Sequence, residues 1–170
     1  MSTLRRKLEL LYDSYSEGLY RYLMTFTKSE SDAKDLLQEL FVKLAIQNGE
    51  TEIRNEKAFI YQVGHRLALD WLRRRSTRRK AEDTLSIERA EDTQFMPDPD
   101  QAIIRKQFSA AMDALPPEQR SIAHLKLFDE MTFEEIAHSQ GIPLNTAASR
   151  YRYALEKLRT LLRPIYEELI

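Results

Sequence analysis

The stretch TFEEIAHSQGIPLNTAASRYRYAL, residues 132–155, decides how the chain is read. Thr132 followed three residues later by Glu135 is a capping box, a reciprocal pair that satisfies two orphan N–H groups at a helix start. Ile136 and Ala137 continue that short helix. Gly141, four residues after Ala137, supplies a tight turn because it adopts positive φ without steric cost. A second helix is predicted from near Asn145 to about Leu162, with Tyr151, Ala154, Leu155, Leu158 and Leu162 inward and Pro164 after its end. Together these are the parts of a helix-turn-helix: a small residue at the crossing (Ala137), a glycine turn, and Ile136 and Ile142 to hold the pair. Such a motif offers the first turns of its second helix to a DNA major groove. The outward side chains there are Asn145, Thr146, Ser149, Arg150, Arg152 and Tyr153. Arg pairs bidentately with guanine, and Asn or Ser contacts bases or phosphates. An ordinary αα-hairpin with a glycine turn has the same local pattern, so this stretch alone leaves both readings open.

Upstream, Ile103, Ile104, Phe108, Met112 and Leu115 mark a helix that Pro116-Pro117 stops. Pro117 suits the first turn of the next helix, which carries Ile122, Leu125 and Phe128. Before this block, residues 81–99 lose periodicity, are acidic, and end in Met96-Pro97-Asp98-Pro99, the character of a flexible linker. The N-terminal block has three helical patterns. Leu4, Leu8, Leu11, Tyr15, Leu19, Tyr22 and Phe26 recur at spacings of three and four. Ser29 with Asp32 resembles a capping box for a second helix bearing Ala33, Leu36, Leu37, Leu40, Phe41 and Leu44, which Asn48-Gly49 ends. A third starts near Asn55, buries Phe59, Ile60, Val63, Leu67 and Trp71 or Leu72, and runs into the basic cluster Arg73–Lys80. The expected fold class is all-α: two small helical domains, residues 1–80 and 100–170, joined by an acidic linker over 81–99.

Composition narrows the function. The 170 residues are 42% hydrophobic, enough for a core, and only four are glycine. The absence of cysteine excludes disulfides, thiolate zinc sites and cysteine nucleophiles. His65, His124 and His138 lie far apart and lack zinc-type spacing, and they read as surface or partly buried residues. No phosphate-binding glycine loop occurs. The expectation is a non-enzyme without cofactor or metal. No apolar run approaches the roughly 20 residues of a membrane span, and no signal peptide is evident at the N-terminus, so a cytoplasmic protein is expected.

Net charge is only −1, but charge is segregated. Between Arg54 and Lys80 there are nine Lys or Arg and two acids, Glu56 and Asp70. Six basic residues fall within Arg73–Lys80, where they repel one another unless a polyanion lies nearby. Phe59, Tyr61, His65 and Trp71 are interleaved with Arg66 and this cluster. Cations following phosphates and rings stacking on unpaired bases are what a protein holding open DNA needs. The bland alternative is core aromatics with a solvated helix end.

Taken together, both blocks resemble the bacterial RNA polymerase sigma factors of the extracytoplasmic-function (ECF) group, over about Leu11 to Leu162. Three stretches carry the resemblance. Asp32–Phe41, DAKDLLQELF, is similar to the family's "DAEDLVQETF" segment, which implies docking on core RNA polymerase through Asp35, Leu36, Gln38, Glu39 and Phe41. Phe59–Arg75 resembles the region-two helix that reads and melts the minus-ten element, which implies DNA contact by Tyr61, Arg66, Asp70, Trp71, Arg73, Arg74 and Arg75. Arg66 stands where the family often has asparagine. Ala114–Arg120, Met131–Ala137 and Thr146–Arg152 resemble region four, with its "ALPxxxR", "YEEIA" and "GTVKSR" patterns. That match implies minus-thirty-five contact by Asn145, Thr146, Ser149, Arg150, Arg152 and Tyr153. Here Asn145 replaces a usual glycine, Ala147 a usual valine, Ala148 a usual basic residue and Tyr153 a usual arginine. The resemblance further implies promoter DNA and core polymerase as partners, an anti-sigma factor as a regulator, and a monomer when free.

The competing reading is a stand-alone helix-turn-helix regulator acting as a dimer on a palindromic site. It leaves the acidic helix and the basic aromatic helix without a purpose. A stable dimer in sedimentation would favour it.

Overall fold

The computed structural model describes residues 3–47, 55–81 and 99–169, and every regular element among them is an α-helix. The order is α1 (Thr3–Thr27), α2 (Glu30–Gln47), α3 (Glu56–Ala81), α4 (Pro99–Ala114), α5 (Pro117–Leu127), α6 (Phe133–Gln140) and α7 (Leu144–Leu169). The all-α expectation holds. Asn48-Gly49 and Met96-Pro97-Asp98, predicted as a helix stop and a linker end, lie outside the described residues.

Local chemistry sets most helix ends. α1 closes on Lys28, whose φ of 52° is left-handed. Ser29 Oγ accepts the Asp32 N–H at 3.4 Å, the forward half of the expected capping box. The Ser29 N–H that would complete the box donates instead to Thr27 Oγ1 at 3.3 Å. Asn55 Oδ1 accepts the Ala58 N–H at 3.0 Å and so caps α3. Pro117 opens α5 as predicted.

Two expectations are corrected. Helix α7 continues through Pro164 to Leu169 rather than ending before it. Proline removes one donor, and at an exposed position a single lost bond is tolerated while Leu162, half-buried, packs the helix against the smaller core cluster. Ile103 and Ile104 are not core residues: they are 54% and 42% exposed, and α4 buries only its C-terminal part, Ala111 and Met112, with Leu115 just beyond.

The packing joins what the sequence presents as separate blocks. One core cluster contains Leu19, Tyr22, Leu23, Leu36, Leu40, Ile60 and Leu67 from α1–α3 together with Ile122, Leu125, Met131, Ile136, Ala137 and Ala147 from the second block. A smaller cluster of Ala111, Met112, Leu115, Ala123, Ala154 and Leu158 ties α4 and α5 to α7. Helix α3 is covered on one side by α1 and α2 and on another by α6. It therefore buries Ala58, Ile60, Tyr61, Leu67 and Ala68, more than one narrow stripe, with the predicted Phe59, Val63, Trp71 and Leu72 half-buried beside them.

Candidate nucleic-acid interface

The helix-turn-helix is built as the sequence specifies. Thr132 Oγ1 accepts the Glu135 N–H and Glu135 Oε1 accepts the Thr132 N–H, both at 3.1 Å. Burial alone would raise the Glu135 carboxyl, but hydrogen bonds to it from the Thr132 backbone N–H, the Asn55 amide and the Thr132 hydroxyl, with the charge of Lys57, hold it below its usual range. Gly141 sits at φ 66°, ψ 38°, and the Ile142 N–H returns to the Ala137 carbonyl at 3.0 Å. This is a left-handed helix stop, open to glycine because no Cβ penalty applies. Ala137 and Ala147 are buried where α6 and α7 cross. At Ala147, the departure from the usual valine, a small side chain fills the seam of the common core.

The predicted groove-facing residues fall on one end of α7. Asn145, Arg152 and Tyr153 are exposed, and Thr146, Ser149 and Arg150 are half-exposed. Ser149 Oγ donates back to the Asn145 carbonyl at 2.9 Å, and the Arg152 guanidinium lies 5.4 Å from the Tyr153 ring centroid.

On α3, Arg66, Asp70, Arg73, Arg74 and Arg78 are exposed. Arg73 pairs with Asp70 at 3.4 Å. Arg75 lies 5.0 Å from the Trp71 ring centroid and donates to the Thr27 carbonyl at 3.4 Å. Tyr61 is not on this face. It is 2% exposed, and its hydroxyl donates to Asp129 Oδ1 at 2.9 Å. Its ring is the right chemistry for stacking on a base, but the packing of α6 on α3 takes it into the core. On α2, Asp35, Gln38 and Glu39 are exposed one turn apart, as the polymerase-facing reading needs, and Phe41 is half-buried against Tyr12 at 5.1 Å. Leu36 is 3% exposed and belongs to the core, not to that surface.

A polar seam runs between α1–α3 and the second block. Arg120, the arginine of the ALPPEQR stretch, donates to the carbonyls of Met112, Asp113 and Leu115 and across the seam to the Thr25 carbonyl at 3.2 Å. Gln140 Nε2 donates to Ser121 Oγ at 3.0 Å and to Tyr22 Oη at 3.3 Å. Tyr22 in turn meets His65 Nδ1 at 2.8 Å. Lys57 Nζ donates to the Asp129 carbonyl, and Asn55 Nδ2 donates to Glu135 Oε2 at 3.0 Å. His124 is 6% exposed, so the expectation of a surface or partly buried histidine fails for it. Its Nε2 lies 3.4 Å from Asp129 Oδ2, and neither atom has a hydrogen-bond partner among the described residues. Burial lowers both His65 and His124 to about 4, and nearby Arg21 adds to the effect at His124. Burial pushes the Asp129 carboxyl up, partly offset by the Tyr61 bond and the charges of Lys57 and Arg21. Asp129, Lys57, Asn55 and Gln140 carry no motif. Their partners lie roughly 70 to 120 residues away in sequence, so only tertiary structure exposes their role.

No group of His, Cys, Asp and Glu suited to a metal occurs among the described residues, and none of their helices is long and apolar enough to cross a membrane. The arrangement defines a class: a helical protein with a capped helix-turn-helix and a separate, basic, aromatic helix face. The comparisons name the family. Residues 11–78 match Sigma-70 region 2 and residues 111–160 match Sigma-70 region 4. The ECF sigma factor SigX of Bacillus subtilis is 26% identical over 95% of this chain and 87% of its own length. The sigma factor SigV of the same organism is 30% identical over 85% of this chain and 84% of its own length. Among solved structures, the Bartonella quintana sigma factor RpoE, in complex with the anti-sigma factor NepR, superposes with a TM-score of 0.74 at 21% identity, covering 94% of this chain and 96% of that one. CnrH, in complex with the cytosolic domain of CnrY, gives 0.68 at 19% identity. The chain belongs to the sigma-70 family, in its ECF group. Its function is that of a sigma factor in transcription initiation, a DNA-binding, non-catalytic role served with RNA polymerase.

Proposed function

We propose that this sigma factor divides its work between residues 1–80 and 100–170, with 81–99 as the connection. The exposed face of α2, through Asp35, Gln38, Glu39 and the edge of Phe41, docks on core RNA polymerase. The α3 face formed by Arg66, Asp70, Trp71, Arg73, Arg74 and Arg75 engages the minus-ten element, cations on phosphate and Trp71 against an unstacked base. The first turns of α7, through Asn145, Thr146, Ser149, Arg150, Arg152 and Tyr153, read the minus-thirty-five element in the major groove. One observation carries this reading: a single chain presents a basic aromatic helix face and a groove-ready helix end, each inside a stretch matched to a different sigma-70 region.

Few cations flank the start of α7, so each module alone binds weakly, and attachment to polymerase supplies the effective concentration for the second contact. The free protein is a monomer in the cytoplasm. An anti-sigma factor is an expected regulator, in keeping with the complex of the sigma factor RpoE with the anti-sigma factor NepR. Promoter selection tests the division of labour. Arg150→Ala and Ser149→Ala are expected to relax the upstream element only, by about 1–3 kcal/mol of discrimination per good base contact. Arg66→Ala is expected to alter the downstream element only. Variants that shift both elements together would refute the assignment.

A further inference from the structure

We propose that Arg75 is a positioning residue for Trp71: its guanidinium fixes the indole ring for an unpaired base and does not itself contact phosphate. This role rests on the minus-ten reading of α3 above and divides the work within that face. Three consecutive arginines, Arg73, Arg74 and Arg75, lie near the C-terminal end of α3. Successive residues point about 100° apart around a helix, so three in a row do not share one surface. Arg73 and Arg74 are exposed, Arg73 beside Asp70 at 3.4 Å. Arg75 is half-buried, and the protein engages it on two sides.

On one side Arg75 Nη1 donates to the Thr27 carbonyl at 3.4 Å. Thr27 is the last residue of α1 and is only 1% exposed, so a protein donor stands in for the water that an orphan helix carbonyl otherwise takes. A cation is also favoured there, because the C-terminal end of a helix carries partial negative charge. On the other side Arg75 Cζ lies 5.0 Å from the Trp71 ring centroid, within range of a cation–π contact with the most favourable aromatic partner. The spacing of four residues puts both side chains on one helix face. Trp71 is half-buried against the main core cluster, so part of its ring is packed and part is open. A planar guanidinium anchored to the neighbouring helix therefore sets the angle of that ring. Less side-chain freedom is then left to lose when a base stacks, and that loss is otherwise a cost of binding. Lysine keeps the charge but has no planar face to lay on the indole. Arg75 is committed to a carbonyl and a ring, whereas Arg73 and Arg74 face solvent where phosphates would run.

The test uses the full chain. Trp71 is its only tryptophan, so fluorescence of the free protein reports this ring alone. Arg75→Gln and Arg75→Lys should both raise its quenching by acrylamide, because the ring is released. Unchanged quenching in both variants would overturn the positioning role. Holoenzyme assembled from core polymerase and each variant is then titrated with a dye-labelled promoter fork whose minus-ten bases are unpaired, over a range of salt concentrations. The fork is built on a promoter that the protein selects from random fragments. Both substitutions are expected to weaken binding about 2–10-fold, the cost of ordering one side chain, with the salt slope unchanged. In a Trp71→Leu background, which keeps apolar bulk against the core, Arg75→Gln should cost nothing further, since residues that act through one another are not additive. Equal loss with and without Trp71, a salt slope reduced by about 0.7–0.9, or recovery with Arg75→Lys would each overturn the positioning role and make Arg75 a phosphate contact. Trp71→Leu without effect on fork binding, while Arg74→Ala weakens it, would overturn the positioning role alone. If neither substitution weakens fork binding, the minus-ten reading of α3 fails, and the role of Arg75 with it.

Discussion

The two DNA-facing helices differ in how they are specified. Helix α6 and the start of α7 are fixed by neighbours in sequence: Thr132 and Glu135 cap each other, Gly141 stops the helix, and Ala137 lets α7 cross. Helix α3 is fixed from a distance, by α1 and α2 on one side and by α6 and Asp129 on another. A locally encoded site carries the bonds that shape it within one short stretch of chain. A site encoded at a distance depends on partners elsewhere in the chain, and Tyr61, whose hydroxyl donates to Asp129 of the other block, is the clearest instance.

The largest effect expected on this contrast is acid loosening of the seam. His65 and His124 are held neutral at about 4, against 6.5 for an unburied imidazole. As pH falls the unfolded chain binds protons first, so stability is full above about 6.5 and is lost through the window down to about 4. Each histidine accounts for on the order of 3 kcal/mol. Asp129, whose value is raised, returns part of that loss at the acid end because the folded state takes up its proton early. Denaturant midpoints at pH 7 and pH 4.5 measure the loss, and His65→Gln should flatten the dependence. An unchanged midpoint would show that neither imidazole is held neutral.

A smaller effect comes from the close approach of α1. Gly18→Ala puts a Cβ against Tyr61 Oη and is expected to cost about 1–3 kcal/mol, the usual range for overpacking, although alanine is the better helix former. Thermal unfolding checks it, and a stabilised variant would mean that the seam yields freely. Smaller again, Gly141→Ala forces a side chain into φ 66° and is expected to cost about 1–2 kcal/mol while leaving the seam distance unchanged, since nothing crowds that position. A change in the acid sensitivity of the seam on that substitution would break the distinction between local and distant specification.

How much of this was legible follows the same line. Residues 132–155 show their caps and turn in sequence, and the structure bears them out residue by residue. The helices of the N-terminal block were legible from their three-and-four spacing, with Leu19, Tyr22, Leu40 and Leu67 buried as that spacing predicts. Leu36 and Tyr61, both named among the binding residues, are buried, because exposure depends on which helix lies opposite, and periodicity does not say. Ile103 and Ile104 look like core and are not, since the core of α4 begins a turn or two later. Pro164 looks like a stop and is not, because a proline ends a helix only where packing does not continue it. The seam was invisible: Lys57, Asp129 and Gln140 are common polar residues whose meaning lies wholly in their partners.

The most direct test of the central claim is initiation by purified core bacterial RNA polymerase, with and without this protein, on a library of random promoter fragments. The protein should produce new start sites that share two spaced upstream elements. Start sites unchanged by its addition, with no binding to core polymerase, would contradict the sigma-factor account.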